Sequence, residues 1–210
     1  MIEIKNLSKK IRKNDILTNV NMNLDYGNIY AFCGPNGSGK SVLLKLIVGI
    51  YTPTSGSILY DGCSYNINNI HKLNIRALIN KPCFFPDLSG YENLKLLSKI
   101  QNKITDQDIL EALKIVNLIN EKDKKFSQYS LGMKQKLGIA QVLMEKPDIY
   151  LLDEPFNGID RQSVKKICDE LIKRSKNNKL IIFSSHIKEE LDLLPCQIFN
   201  FENGNVLKYE

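Results

Sequence analysis

A glycine-rich stretch at residues 34–41, GPNGSGKS, has the residue types and spacing that bind phosphate. It matches the full pattern GxxxxGK[ST], in which glycines let successive backbone N–H groups point at phosphate oxygens and a following helix adds its positive end. Lysine can reach the outer phosphates of a nucleoside triphosphate, and the last hydroxyl can hold Mg²⁺. The predicted phosphate-binding residues are Asn36, Gly37, Ser38, Gly39, Lys40 and Ser41.

Two acids, Asp153 and Glu154, follow the apolar run IYLL at residues 149–152. A carboxylate that ends a strand beside a phosphate loop can support Mg²⁺ through its water shell, and this role is predicted for Asp153. Glu154 is then free to polarise an attacking water as a general base. Without the phosphate loop, the pair would be interpreted as surface charges that end a buried strand.

A histidine, His186, follows the apolar run KLIIFSS at residues 179–185. A lone histidine is more often structural than catalytic. This one, however, follows a predicted buried strand, and open α/β sheets bind their ligands at the carboxyl ends of such strands. We therefore predict that His186 hydrogen-bonds a γ-phosphate.

A second predicted anion site lies at residues 129–135, YSLGMKQ. Ser130 and Gly132 precede MKQKLGIAQVL, whose apolar residues have helical spacing. A helix N-terminus with a small polar cap attracts anions. The stretch is distant in sequence from residues 34–41, so the residues alone leave open whose phosphate it binds.

Strands and helices must position these groups. Strands are predicted at residues 2–7, 16–24, 29–33, 57–60, 149–153 and 179–185, and on both sides of Asn203-Gly204; helices are predicted at residues 41–50, 91–100, 104–116, 161–175 and 187–194, and after Ser130. Thr105 and Asp108 have the spacing of a capping box. The alternation predicts an α/β fold with a mostly parallel sheet, in a single domain over residues 1–210. Within it, residues 1–89 and 145–210 form the core and about 90–144 a helical insert.

Composition excludes several classes of protein. With 210 residues and 43% hydrophobic content, the chain can bury one core and a small attached subdomain. The charged start MIEIKNLSKK and the lack of any run near about 18 apolar residues predict that the chain does not cross a membrane. Five scattered cysteines without a CxxC pair argue against disulfides and zinc, and favour a reducing cytoplasm. The net charge of +6 is spread over helix surfaces, so no nucleic-acid partner is expected.

The order of phosphate loop, YSLGMKQ, LLDEP, NGID and strand-terminal histidine resembles the nucleotide-binding domain of ABC transporters over essentially the whole chain. It is most similar to the bacitracin- and lantibiotic-type export ATPases, whose signature often reads SLGMKQ. The resemblance implies a P-loop NTPase fold of ABC type with an N-terminal antiparallel β subdomain. It also implies ATP and Mg²⁺ as cofactors, a separate transmembrane permease as partner, and a cytoplasmic location, peripheral on the inner face of the membrane. Export of a peptide antibiotic is expected by analogy alone.

In that family two nucleotide-binding domains, identical or different, dimerise head to tail, and the signature of each completes the site of the other. The resemblance therefore implies that Ser130 and Gly132 face the γ-phosphate of ATP held by the partner's Lys40. Residues 157–160, NGID, match the family's D-loop. This match implies that Asp160 communicates across the dimer.

Two positions depart from the family pattern. Ile11 stands where an aromatic residue usually stacks on adenine, and Asn80 stands where a glutamine usually senses Mg²⁺ and contacts the membrane subunit. Residues 80–93 are the predicted docking surface for that subunit, with apolar contact from Phe84, Phe85 and Pro86. The alternative is that these three residues belong to an ordinary subdomain core.

Two other function classes are considered. NKPC at residues 80–83 and DLSG at 87–90 imitate GTPase motifs, but Cys83 replaces the acid that reads guanine and the order of the motifs is wrong. An ABC-type ATPase acting on DNA or the ribosome is the second alternative. Such proteins typically carry coiled-coil or zinc inserts or two ATPase domains, and the spacing between Lys40 and Asp153 leaves no room for a coiled-coil or zinc insert.

Overall fold

The computed structural model describes residues 1–64, 72–100 and 103–208. In chain order the strands within these ranges are β1 (Ile2–Ile11), β2 (Asn14–Leu24), β3 (Ile29–Cys33), β4 (Ser55–Tyr60), β5 (Cys63–Ser64), β6 (Ile75–Leu78), β7 (Ile149–Asp153), β8 (Leu180–Ser185), β9 (Gln197–Glu202) and β10 (Asn205–Lys208). The α-helices are α1 (Lys40–Ile47), α2 (Gly90–Ser98), α3 (Asp106–Ile115), α4 (Leu131–Met144), α5 (Arg161–Lys176) and α6 (Lys188–Leu191).

The strands form two sheets. The central sheet has the order β10-β9-β3-β8-β7-β6, and its strands are parallel except for β10, which pairs antiparallel with β9. Asn203 and Gly204 join β9 to β10 with φ angles of 47° and 79°, as a type I′ hairpin turn requires. The second sheet, with the order β2-β1-β4-β5, is antiparallel. The predicted α/β class with an antiparallel N-terminal sheet is confirmed.

Apolar side chains cover both faces of the central sheet. In β7, Tyr150 and Leu152 pack into a cluster with the buried sides of α2 to α5, whereas Ile149 and Leu151 pack into a cluster with α1 and the antiparallel sheet. Successive residues of a strand point to opposite faces, so a strand buried on both sides is a continuous apolar run. At their carboxyl ends, β7 and β8 have polar residues, Asp153 and Ser185.

Several predicted boundaries are wrong. No strand is predicted at Ile75–Leu78, yet these residues form β6, the edge strand parallel to β7. The first strand continues to Ile11 instead of ending at residue 7, and irregular register with β2 interrupts its alternation. The last helix covers Lys188–Leu191, a shorter span than predicted.

Helix caps explain two sequence motifs. The Ser89 hydroxyl of DLSG accepts the N–H of Glu92, and the Glu92 side chain accepts the N–H of Ser89, so this imitation of a GTPase motif is a capping box for α2. The predicted capping box of Thr105 and Asp108 at the start of α3 is confirmed. Asp108 also pairs with Lys146, at 2.5 Å between carboxylate and amine.

These contacts predict a pH-dependent contribution to stability. The pKa of Asp108 is lowered from 3.8 to about 2. The hydrogen bond from Lys146 is the largest cause, and hydrogen bonds from the Thr105 hydroxyl and N–H follow. The folded pKa lies below the unfolded one, so the contribution is complete above about pH 5 and is lost as pH falls toward 2. We expect Asp108→Asn to lower the free energy of unfolding by about 1–2 kcal/mol at neutral pH, and by about half as much at about pH 3, in urea titrations. An equal loss at both pH values would contradict an ionic contribution; Asp87→Asn, at an exposed loop position, is the control.

The helical insert begins and ends with regular elements, because α2 starts at Gly90 and α4 ends at Met144. Its apolar side chains share one cluster with the central sheet. The division of the chain into a core and an insert at about residues 90–144 stays a prediction. Within the described ranges, none of the helices combines the length and the apolar character that a membrane span requires.

Candidate functional site

The loop between β3 and α1 is packed tightly against neighbouring strands. Gly34, Gly37 and Gly39 have φ angles of 147°, 82° and 108°, which residues with a side chain rarely adopt. A Cβ atom at Gly34 would lie 2.3 Å from the carbonyl oxygen of Phe201 in β9, and one at Gly39 would lie 2.7 Å from Leu17 Cδ2 in β2. The backbone of β9 therefore leaves no room for a side chain at Gly34, and the positive φ angle of Gly39 favours glycine there.

The Lys40 side chain turns back into this loop. Its amine is buried and donates to the carbonyl oxygens of Gly34 at 2.7 Å and Pro35 at 2.9 Å. Burial lowers the pKa of Lys40, and the negative charges of Glu154 and Asp153 oppose that shift. The loop thus holds a partly desolvated cation that can attract a phosphate group, near two acids that favour the charged form of the lysine.

The Ser38 hydroxyl is buried and unpaired, which indicates that the loop fits a ligand. Among side-chain polar atoms of the described residues, it is the one that is buried without a hydrogen-bond partner. An unpaired buried hydroxyl is costly, so a site that contains one favours a ligand with hydrogen-bond acceptors. Together with Lys40 and the glycine backbone, it makes the loop a fit for phosphate oxygens.

A buried serine links the two acids to the neighbouring strand. Asp153, the last residue of β7, lies opposite Ser184 of β8. The Ser184 hydroxyl donates to Asp153 Oδ1 at 2.5 Å and accepts the backbone N–H of Glu154 at 2.9 Å. One fully buried hydroxyl therefore orients both acids, a role that the sequence analysis missed.

The Glu154 carboxylate contacts two polar side chains. His186 Nδ1 lies 3.1 Å from its Oε1, and the Asn157 amide donates to its Oε2 at 2.7 Å. The structure thus brings Glu154 and His186 together, although 32 residues separate them in sequence. Asn157 was not predicted at the site. Asn157 lies three positions after Glu154. A turn predicted over residues 154–157 would have been the sequence signal that places its side chain beside Glu154.

An open cleft of about 370 Å³ joins the loop and the acids. Its lining residues come from four parts of the chain and are Ser41, Asn80, Lys81, Leu131, Gln135, Asp153, Glu154 and Asn157. Ser41, Asn80 and Asp153, the three predicted metal-binding residues, lie on this one surface. Hydroxyl, amide and carboxylate oxygens are ligands that Mg²⁺ accepts beside substrate phosphates and water, so the residues fit that ion.

The second predicted anion site lies at the start of α4. Ser130 is the N-cap, and its hydroxyl accepts the N–H of Met133 at 3.2 Å. A Cβ atom at Gly132 would lie 2.3 Å from the Gly158 carbonyl oxygen, so the first turn of α4 touches the segment 157–160. Leu131 lines the cleft, whereas Ser130 and Gly132 are not among its lining residues.

The Asp160 carboxylate is engaged within its own chain. Asp160 caps α5 by accepting the N–H of Ser163 at 2.9 Å, and it pairs with Lys136 of α4 at 3.2 Å. The N–H of Ser163 is the main cause that lowers the pKa of Asp160 to about 2. Lys136, buried and also missed in the sequence, therefore ties α4 to this segment. A role of Asp160 across a dimer stays a prediction.

Ile11 lies at the end of β1, opposite Asn14 in the β1–β2 hairpin, and is half-buried. It is not among the residues that line the cleft. Strand β2 nevertheless touches the phosphate loop through Leu17 and Gly39. The placement of adenine against Ile11 stays a prediction.

Comparisons with known proteins agree on one family. A family profile described as "ABC transporter" matches residues 17–157. The chain is 42% identical to the ABC transporter ATP-binding protein YybJ of Bacillus subtilis, over 94% of this chain and 90% of YybJ. It is 36% identical to the lantibiotic transport ATP-binding protein SrtF of Streptococcus pyogenes, over 100% and 91%. The dimeric structure of a post-hydrolysis state of the ATP-binding cassette MJ0796, bound to ADP and Pi, superposes with a TM-score of 0.89 at 25% identity, covering 100% of this chain and 98% of that one.

Proposed function

This chain belongs to the ABC transporter family as an ATP-binding and ATP-hydrolysing subunit, and we propose that it uses Mg²⁺ as a cofactor and drives a separate membrane permease. In this proposal two nucleotide-binding subunits associate when ATP binds and separate after hydrolysis. A difference in ATP affinity between the associated and separated states can perform work on the permease. The chain would act at the inner face of the cell membrane.

The single observation that supports this proposal is the convergence of polar residues after three adjacent parallel strands. Lys40 follows β3, Asp153 and Glu154 stand at the end of β7, and His186 follows β8. An attacking water needs a base, and the phosphate that it attacks needs a cation. The carboxyl end of the central sheet brings these groups into one place.

Each residue has one proposed chemical role. Lys40 binds the outer phosphates, and Ser41, Asp153 and Asn80 would hold Mg²⁺, which when bound would neutralise phosphate charge. Glu154 accepts a proton from the attacking water. His186, held beside Glu154, orients the γ-phosphate.

A dimer would complete the site with the start of α4. Ser130 is exposed at the N-terminus of a 14-residue helix, where the backbone dipole favours an anion. MJ0796, a cassette similar to this chain, is dimeric in its structure. We propose that Ser130 and Gly132 face the ATP of a second nucleotide-binding subunit, identical or different.

The permease would dock on the loop that follows Asn80. Phe85 is 60% exposed and Pro86 is exposed, which supports an apolar contact there. Phe84 is half-buried and packs against the Phe126 ring, with centroids 5.3 Å apart, and its contact with the permease stays a prediction. The Asn93 side chain donates to the carbonyl oxygens of Phe85, Leu88 and Ser89 and accepts the N–H of Phe85, which shapes this loop.

The cargo is proposed by relation to SrtF, whose name states lantibiotic transport. We propose export of a peptide antibiotic or a similar compound. The same relation favours transport over the alternative in which an ABC-type ATPase acts on DNA or the ribosome.

Co-purification tests the proposal. An affinity-tagged chain, extracted from membranes with mild detergent, should retain a polytopic membrane protein. Phe85→Asp should lose that protein, because a charge at an apolar contact costs binding free energy, while ATP hydrolysis by the isolated subunit stays within about twofold of wild type. Ile50→Asp is the matched control, since Ile50 is 58% exposed and lies outside the docking loop. Retention of the membrane protein by Phe85→Asp would contradict this docking surface.

A further inference from the structure

The backbone of Glu154 is strained. Its φ angle is 47°, in the left-handed region that a residue with a long side chain rarely adopts. Of the ten non-glycine residues with positive φ in the described part of the chain, seven are Asn or Asp, which tolerate this region. Glu154 is not one of these types. A strained residue persists when its surroundings hold it, and such residues are concentrated at functional sites.

Side chains from two other elements hold this backbone. On the amino side, the Ser184 hydroxyl of β8 accepts the Glu154 N–H at 2.9 Å. On the carboxyl side, the Gln135 amide of α4 donates to the carbonyl oxygens of Glu154 and Pro155, at 3.3 Å each. The Glu154 peptide groups are therefore fixed from both directions, by residues far away in sequence.

We infer that Ser184 and Gln135 are positioning residues that hold the Glu154 backbone in its left-handed conformation and so direct its carboxylate into the cleft. This inference rests on the proposed role of Glu154 as the base. Ser184 has a second effect, because its hydroxyl also donates a hydrogen bond to Asp153. One hydroxyl therefore orients both acids. Neither positioning residue needs to touch the nucleotide.

The contact through Gln135 links the base to α4. The same helix is capped by Ser130, touches Gly158 at Gly132, and pairs with Asp160 through Lys136. Three contacts in its first two turns thus join α4 to the segment 154–160. A displacement of the start of α4 would displace the Glu154 backbone, so the position of the second anion site and that of the base are mechanically coupled.

Kinetics of two variants test the inference. Gln135→Met keeps the length of the side chain and removes the amide, and Ser184→Ala removes the hydroxyl. We expect each to lower kcat for ATP hydrolysis by about tenfold, because a small misplacement of a catalytic group is costly, while KM and the equilibrium affinity for ATP change by less than about twofold. Ser184→Thr, which keeps a hydroxyl, should restore part of the activity.

Matched controls separate positioning from general destabilisation. Ser185→Ala removes the next buried hydroxyl of β8, which bonds Ile187 and Glu190 instead of Asp153 and Glu154, and Gln141→Met makes the same amide removal at a half-buried position further along α4. Both should keep kcat within about threefold of wild type. In the Glu154→Gln background, Gln135→Met should cost less than about twofold more, since residues that act as a unit are not additive.

The outcomes distinguish two failures. Wild-type hydrolysis by Glu154→Gln would refute the role of Glu154, and with it the inference. Loss of hydrolysis by Glu154→Gln, together with wild-type kcat in Gln135→Met and Ser184→Ala, would overturn the inference alone. Gln135 is only half-buried, so its variant decides the matter even if Ser184→Ala fails to fold.

Discussion

Replacement of Glu154 by glutamine should lower ATP hydrolysis by about 10²-fold or more and leave ATP binding intact. The amide is nearly the same shape as the carboxylate and can still accept the Asn157 hydrogen bond, but it cannot take a proton from water. Lys40 and the glycine loop, the proposed phosphate-binding groups, are unchanged. Steady-state phosphate release and equilibrium titration with a fluorescent ATP analogue measure the two effects separately.

An ATP-stabilised dimer of the Glu154→Gln variant should also accumulate, because the step that separates the subunits is blocked. Size-exclusion chromatography with ATP and Mg²⁺ would detect it. Glu111→Gln, at an exposed position of α3, is the control for loss of a negative charge. Hydrolysis by Glu154→Gln within about threefold of wild type would remove Glu154 from the role of base.

The second large effect is recovery of activity when two inactive variants are mixed. Lys40→Ala disables the phosphate loop, and Ser130→Arg blocks the start of α4; each variant alone should be inactive. If the site is shared between subunits, a mixed dimer contains one complete site. At equal mixing, half of the dimers are mixed and half of their sites are complete, so about a quarter of wild-type activity should return.

This experiment needs proof that mixed dimers form, which two different affinity tags provide. A mixture of Lys40→Ala with Glu154→Gln is the matched control, because both lesions lie in the half-site of the phosphate loop and the signature stays intact in both chains. It should show no recovery. Absence of recovery in the first mixture, with mixed dimers present, would place the complete site within one chain.

Asp153 and His186 were predictable as residues that follow strands because each comes after a run rich in aliphatic and aromatic residues with no charge in it. The runs before Asp153 and His186 are buried on both faces, and nothing but a strand at the centre of the sheet suits them. Strand β6 was missed for the opposite reason. Four residues, IRAL, at the edge of the sheet carry too little pattern to be distinguished from a loop.

The contacts between elements could not be predicted. Ser184 appears in the sequence as one more small residue in a strand, and its role depends on the register that places it opposite Asp153. Gln135 lies on α4 and reaches a backbone that is distant in sequence. The conformation of Glu154 follows from both contacts. Sequence patterns report which residues are buried, whereas register and long-range hydrogen bonds depend on the assembled fold.

The loop that carries Phe85 is held in its conformation by contacts within its own chain. Four hydrogen bonds to the Asn93 side chain fix its backbone, so the chain entropy of this loop is lost when the subunit folds. For a permease that docks at Phe85, little conformational freedom remains to be lost on association, and contact area converts into affinity with a smaller entropic penalty. A preformed loop of this kind also transmits displacement from the subunit to the permease and from the permease to the subunit, because it moves with the subunit as a rigid body.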